Sequence, residues 1–197
     1  MNVGRYMHAD AVTVPSDASL SQAREVMEEH GYSLLLITGE GGVLDGFLTR
    51  AGLKDVKDWD LPVSRLSHPV KCSVSPDDTL EKAALIMLAN RLVILPVVQD
   101  DRLAGVITQS ELLKGLATGL GVGLEATRLT IKLRAGNDDL YAALDVLRKH
   151  GARIVSLVQG GRGEARSEIV IRVQEVEDKE KLRDALEAVL REIPCEN

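Results

Sequence analysis

Apolar and polar positions alternate in blocks along this chain, and the blocks recur. Leu20, Ala23, Val26 and Met27 stand at helical spacing, and so do Leu80, Ala83, Ala84, Met87 and Leu88, which predicts two amphipathic helices with one buried stripe each. Ser19 and Thr79 mark their starts, and Ser19 with Gln22 has the spacing of a capping box. Each helix is followed by two strand-length apolar runs, SLLLIT then VLDGFLT in one case and LVILPVV then LAGVIT in the other. The turn-rich GEGG or QDD joins them, and AGLKDV or SELLKGL predicts a closing helix. With a short extended lead-in before the first helix, each block reads β, α, β, β, α.

The two blocks align residue by residue. At an offset of sixty, VGRYMH (3–8) lies over VSRLSH (63–68), and VTVPSDASLSQAREVM (12–27) over CSVSPDDTLEKAALIM (72–87). One extra residue in GEGG reduces the offset to fifty-nine, and Gly46, Thr49 and Leu53 then match Gly105, Thr108 and Leu112. Such self-similarity means two copies of one supersecondary unit. Beyond Leu116, the glycine-rich ATGLGVGLEATR reads as a linker, and its GLGVG lacks the preceding strand of a dinucleotide loop. A third unit follows: TRLTIKLR as strand, DLYAALDVLRKHG as a helix ending at a glycine cap, ARIVSLVQ and SEIVIRVQEV as strands, and DKEKLRDALEAVLREI as a helix. A stub of strand at the C-terminus would complete it.

Composition narrows the function. Aromatic residues make up 3% of the 197, which argues against an aromatic platform for nucleic acid. The net charge of −6 sits in residues 1–126, which hold 11 Lys+Arg against 17 Asp+Glu, while 127–197 hold 13 of each. An acidic surface without a basic cluster disfavours both nucleic acid and anionic membrane. No signal-peptide pattern or bilayer-length apolar run is read, and Cys72 and Cys195 have no metal-ligand spacing, so a reducing cytoplasmic setting is expected. Asp77 with Asp78, and Asp100 with Asp101, belong to turn chemistry. No catalytic set or metal cluster can be assembled from the motifs.

The doubled unit, with LVILPVV followed by GVITQSELL, resembles the cystathionine β-synthase (CBS) domain, and the tandem resembles a Bateman module over roughly residues 3–118. Residues 127–197 resemble an ACT domain, a ferredoxin-like βαββαβ regulatory fold. Here Gly136 sits earlier than the Pro-Gly that usually precedes the first ACT helix. The whole order, GLGVG linker included, is similar to AcuB-type acetoin-utilisation proteins. The fold class implied is α/β (α+β): CBS repeats at 1–60 and 61–118, a linker at 119–126 and an ACT-like βαββα(β) domain at 127–197.

In CBS domains the pattern T-x-x-D opens the last helix, and its acid accepts the ribose hydroxyls of an adenosine ligand. The resemblance therefore implies Thr108 and Glu111 in the second copy, and Thr49 and Gly52 in the first. Ser73, Val74, Ile94 and Pro96 would flank the adenine in the second copy, and Thr13 and Val14 in the first. Hydrogen bonds to a charged group contribute roughly 1.5–3 kcal/mol, so Gly52 should make the first site weaker by about ten- to a hundredfold. Arg5 and His8 recur as Arg65 and His68, which suggests phosphate contacts at the inter-repeat cleft. Plainer roles stand beside these: Thr108 and Glu111 as a helix cap, and the Arg and His pairs as partners of backbone groups.

The expectation is a non-catalytic regulatory protein that needs no cofactor. It would sense AMP, ADP, ATP or S-adenosylmethionine, hinge at 115–123, form a homodimer and act on a regulated enzyme partner. The rival expectations are an assembly scaffold with vestigial nucleotide pockets, and an enzyme of acetoin catabolism.

Overall fold

The computed structural model describes residues 1–134, 138–162 and 166–192. The chain divides into two compact units, Met1–Gly115 and Leu116–Asn197.

The first unit contains both repeats. In the first, β1 (Thr13–Pro15), α1 (Leu20–Glu29), β2 (Leu34–Thr38) and β3 (Leu44–Thr49) build a sheet ordered β1-β2-β3, with β1 parallel and β3 antiparallel to β2. In the second, α2 (Leu80–Asn90) precedes an antiparallel pair, β4 (Ile94–Gln99) and β5 (Arg102–Thr108), and α3 (Gln109–Gly119) closes the unit. The partner of β1 shrinks here to one parallel bridge, Val74 to Val97, sixty residues beyond the Val14–Ile37 pair. Ser19 forms the capping box: its hydroxyl accepts from the Gln22 N–H at 3.2 Å, and Gln22 Oε1 accepts from the Ser19 N–H at 2.9 Å. Thr79 caps α2 through the Lys82 N–H. Both helices end in Schellman turns, with Gly31 left-handed after α1 and Arg91 at the same position after α2. Asp100 and Asp101, both left-handed, form the two-residue hairpin turn between β4 and β5.

The repeats exchange their lead-in segments. Val3 donates its N–H to Asp78 O and Val63 donates its own to Ala18 O, both at 2.8 Å, so each copy's lead-in ties to the helix start of the other. The first N–H of each helix is satisfied the same way, Leu80 by Met1 O and Leu20 by Leu61 O. Further along, His8 exchanges both backbone bonds with Val106 of β5, and His68 does so with Phe47 of β3. Glycine permits these pairings. A Cβ at Gly46 would stand 2.7 Å from the His68 carbonyl oxygen, and one at Gly105 would collide with that of His8. Val63 is thereby buried in the first copy's core, with Leu20, Met27, Leu35 and Ile37.

Three sequence expectations require correction. AGLKDV forms only a 3-10 turn, Arg50–Leu53, rather than a helix. Gly52 weakens the would-be first turn, and Asp55, Asp58 and Asp60 follow where a helix C-terminus disfavours acid. Leu88 is not in the buried stripe of α2 but 74% exposed, the core being reached by Leu80, Ala83 and Met87. The glycine-rich passage begins as helix: α3 runs through Gly119 and closes on left-handed Gly121 with Val122 N–H donating to Ala117 O at 3.0 Å.

In the second unit, β6 (Thr127–Arg134), α4 (Asp138–Lys149), β7 (Arg153–Arg162), β8 (Arg166–Gln174) and α5 (Lys179–Glu192) form an antiparallel sheet ordered β6-β8-β7. The strand that enters last lies between the other two. That split βαβ order is the ferredoxin-like arrangement of ACT domains. Ile131, Leu133, Ile169, Ile171 and Val173 meet Ala143, Leu147, Leu182 and Leu186 of the helices in one core. Gly136, Cys195 and the expected terminal strand stub lie outside the described residues. Among the described residues no helix is long and apolar enough to cross a membrane.

Candidate functional site

Thr108 is the last residue of β5 and Glu111 lies in the first turn of α3, so one strand end and one helix start fix both side chains. The Thr108 hydroxyl donates to Glu111 Oε2. On the other side His8 Nε2 lies 3.1 Å from Glu111 Oε1. His8 comes from the exchanged lead-in segment, whose pairing with Val106 delivers the imidazole to the acid. The Thr108 hydroxyl bond first, and His8 after it, hold the Glu111 carboxyl below its ordinary range against the opposing effect of partial burial. Glu111 is therefore a carboxylate at neutral pH, with its side chain only 22% exposed.

Glu111, not itself a lining residue, is in contact with both Thr108 and His8, which line a cavity of about 360 Å³. His8, Asp10, Val12, Tyr32, Leu34 and Leu36 from the first copy line it, with Ile94, Val106 and Thr108 from the second. Ile94 pairs directly with Thr108 across the hairpin. Aliphatic walls and an aromatic edge, with a carboxylate in contact with two of the lining residues, suit a flat apolar group attached to a polyol.

A second cavity of about 510 Å³ repeats the arrangement. His68, Val70, Lys71 and Cys72 replace the lead-in residues, Phe47 replaces Val106, and Leu34, Leu36, Ile94 and Pro96 are shared walls or equivalents. Thr49 and Gly52, the counterparts of Thr108 and Glu111, are not among its lining residues, and Gly52 brings no acid. In the first copy the Thr49 hydroxyl accepts from the Gly52 N–H at 3.2 Å, and no side chain extends from that position.

The predicted residues thus regroup across the copies. Thr108, Glu111, Ile94 and His8 come together, whereas Pro96 and His68 line the other cavity. Val74 and Val14 are core residues at 3% and 4% exposure. Ser73 is exposed and lines neither cavity, and Thr13 follows the lining residue Val12 and accepts from the Thr38 hydroxyl. Arg5 and Arg65 are exposed in the single turns Val3–Arg5 and Val63–Arg65, and neither lines a cavity. The residues of this cavity missed by sequence reasoning include Asp10, Val12, Tyr32, Leu34, Leu36 and Val106. Gly46 and Gly105 in mid-strand were the available signal that another backbone approaches there.

The CBS domain family matches residues 3–57 and 63–118. Inosine-5′-monophosphate dehydrogenase from Methanocaldococcus jannaschii is 27% identical over 163 residues, which are 76% of this chain and 33% of that enzyme, so the chain spans about a third of its length. Among solved structures, a CBS domain pair/ACT domain protein from Thermotoga maritima aligns with a TM-score of 0.56 at 23% identity, over 61% of this chain and 99% of its own. A Vibrio cholerae protein assigned as the acetoin utilization protein AcuB aligns at 0.57 and 23%, over 64% and 98%. CBSX2 in complex with AMP aligns at 0.54 and 23%, over 59% and 96%. With two matched domains in register over more than half of its length, the chain belongs to the CBS-domain family.

Proposed function

We propose that this chain is a non-catalytic regulatory protein that binds an adenosine-containing ligand (AMP, ADP, ATP or S-adenosylmethionine) in the cavity closed by Thr108 and Glu111. The observation that carries the reading is the ionised Glu111, held by Thr108 and His8, two residues that line a largely aliphatic cavity. A carboxylate so placed accepts two ribose hydroxyls while aliphatic walls and Tyr32 receive the base. The AMP complex of CBSX2 supports the ligand class. The AcuB likeness supports a place in acetoin or related carbon metabolism. Binding would shift the relation of the first unit to the ACT-like unit, hinging at 115–123, or act on an enzyme partner, and the protein would work in the cytoplasm as a homodimer.

Calorimetric titration with the four ligands tests this. Wild type should bind at least one of them, and Glu111→Ala should weaken binding by about tenfold or more, because charge-assisted hydrogen bonds worth roughly 1.5–3 kcal/mol are removed. Equal affinity in the variant would remove Glu111 from the site. A second reading, a scaffold with vestigial pockets, draws on Gly52, and it predicts no heat with any of the four.

A further inference from the structure

The cavity of about 510 Å³ is the counterpart of the one lined by Thr108 and His8, and the repeat lets the two be compared position by position. At an offset of sixty, the lining residues Asp10, Ala11 and Tyr32 become Val70, Lys71 and Leu92. At fifty-nine, Val106 answers to Phe47 and Glu111 to Gly52. These changes run in one direction: two carboxylates and a phenol are lost, a phenyl ring is gained, and the one charge added is a cation. The other lining differences, Ala9 to Pro69 and Val12 to Cys72, bring no charge of either sign.

An apolar chamber with a single permanent charge is the result. No carboxylate is among its lining residues. The Asn90 amide already donates to Ile86 O at 2.9 Å, and the His68 ring rests against Phe47 with centroids 5.6 Å apart. Lys71 is exposed, and its ammonium has no ion-pair or hydrogen-bond partner among the described residues. A polyol placed among Leu34, Phe47 and Leu92 would lose its hydration and meet no charged acceptor. An aliphatic chain gains from the same walls, and an acid at its end can meet Lys71 where water still reaches.

We infer that this cavity binds an apolar monocarboxylate, with its hydrocarbon among Leu34, Phe47, Val70 and Leu92 and its carboxylate at Lys71. The protein then carries two ligand classes rather than two copies of one site. The volume lies within the range of small-molecule cavities, about 300–1,000 Å³. The inference stands apart from the adenosine reading, which concerns the other cavity.

Methyl-labelled NMR titration of the full chain with octanoate, and with 1-octanol as its neutral match, tests it. Octanoate should shift the Val70 and Leu92 methyls at concentrations at least about fivefold below those that move Val12, which lines only the other cavity. Lys71→Glu replaces attraction by repulsion at an exposed position, so it should weaken octanoate by about fivefold or more while octanol binds nearly as before. Val70→Asp, which installs the residue of the other cavity, should weaken both probes as followed at Leu92, and Glu111→Ala should leave octanoate binding unchanged. Octanoate that leaves Val70 and Leu92 unmoved at millimolar concentration, moves Val12 along with them, or binds Lys71→Glu as tightly as wild type would overturn the inference and leave the adenosine reading standing. Octanoate binding lost in Glu111→Ala would also overturn it, by placing the acid in the other cavity.

Discussion

The missing acid of the first repeat can be put back. Gly52 lies in the turn Arg50–Leu53, its φ is not left-handed, and an added Cβ would meet only the Thr49 hydroxyl oxygen at 3.4 Å, an ordinary contact. Asp should therefore be accommodated without strain and should favour the start of the turn by roughly 0.3–1 kcal/mol. Its carboxylate would stand to Thr49 much as Glu111 stands to Thr108, at the end of the strand whose Phe47 lines the cavity of about 510 Å³. Charge-assisted bonds to two ribose hydroxyls would add roughly 1.5–3 kcal/mol of binding, a gain of about ten- to a hundredfold at the first site. Calorimetry with an adenosine ligand that binds wild type should then show a second event per chain, or a strengthened one where a weak event already exists. Gly52→Asn, nearly the same size without the charge, should gain less than half as much in free energy. If Gly52→Asp folds and its titration superimposes on that of wild type, the acid at this position does not govern ribose binding.

Two further outcomes follow from the geometry. Gly105→Ala should lower the thermal midpoint of the first unit by roughly 5 °C or more, because its Cβ collides with the His8 carbonyl and overpacking costs about 1–3 kcal/mol; Gly52→Ala, which meets no such obstacle, should leave it nearly unchanged, and equal midpoints would refute the close approach. The carboxyls of Glu111 (through the Thr108 hydroxyl, then His8) and Asp78 (through Lys82, then the Ser75 N–H) are both held below their ordinary values. Depressed acids stabilise the fold above their unfolded pKa and lose that contribution as pH falls through the folded one, so melting midpoints should decline from about pH 4.5 downward. Thr108→Val should shrink that decline. A flat acid limb in wild type would contradict the ionised pair.

The sequence made the repeat, the helix caps and the third unit's element order legible, because these rest on local chemistry: Ser19 with Gln22, Thr79, and a glycine after each of two helices. The buried side of α2 was misread because Leu85, Ile86 and Leu88 surround it with apolar residues, and period alone does not say which stripe faces the sheet. Thr108 and Glu111 were legible as a motif. His8 and Tyr32 were not legible as their neighbours, since that adjacency depends on the exchange of lead-in segments, a pairing about a hundred residues apart in sequence that only Gly46 and Gly105 foreshadow.

Which cavity takes the ligand can be read directly from methyl resonances. Val12 and Val106 line the cavity beside Glu111, while Val70 lines the other. In a methyl-labelled NMR titration with an adenosine ligand, Val12 and Val106 should shift at concentrations at least about tenfold below those that move Val70. Shifts at Val70 first, or at neither group while calorimetry reports binding, would contradict a ligand held by Thr108 and Glu111.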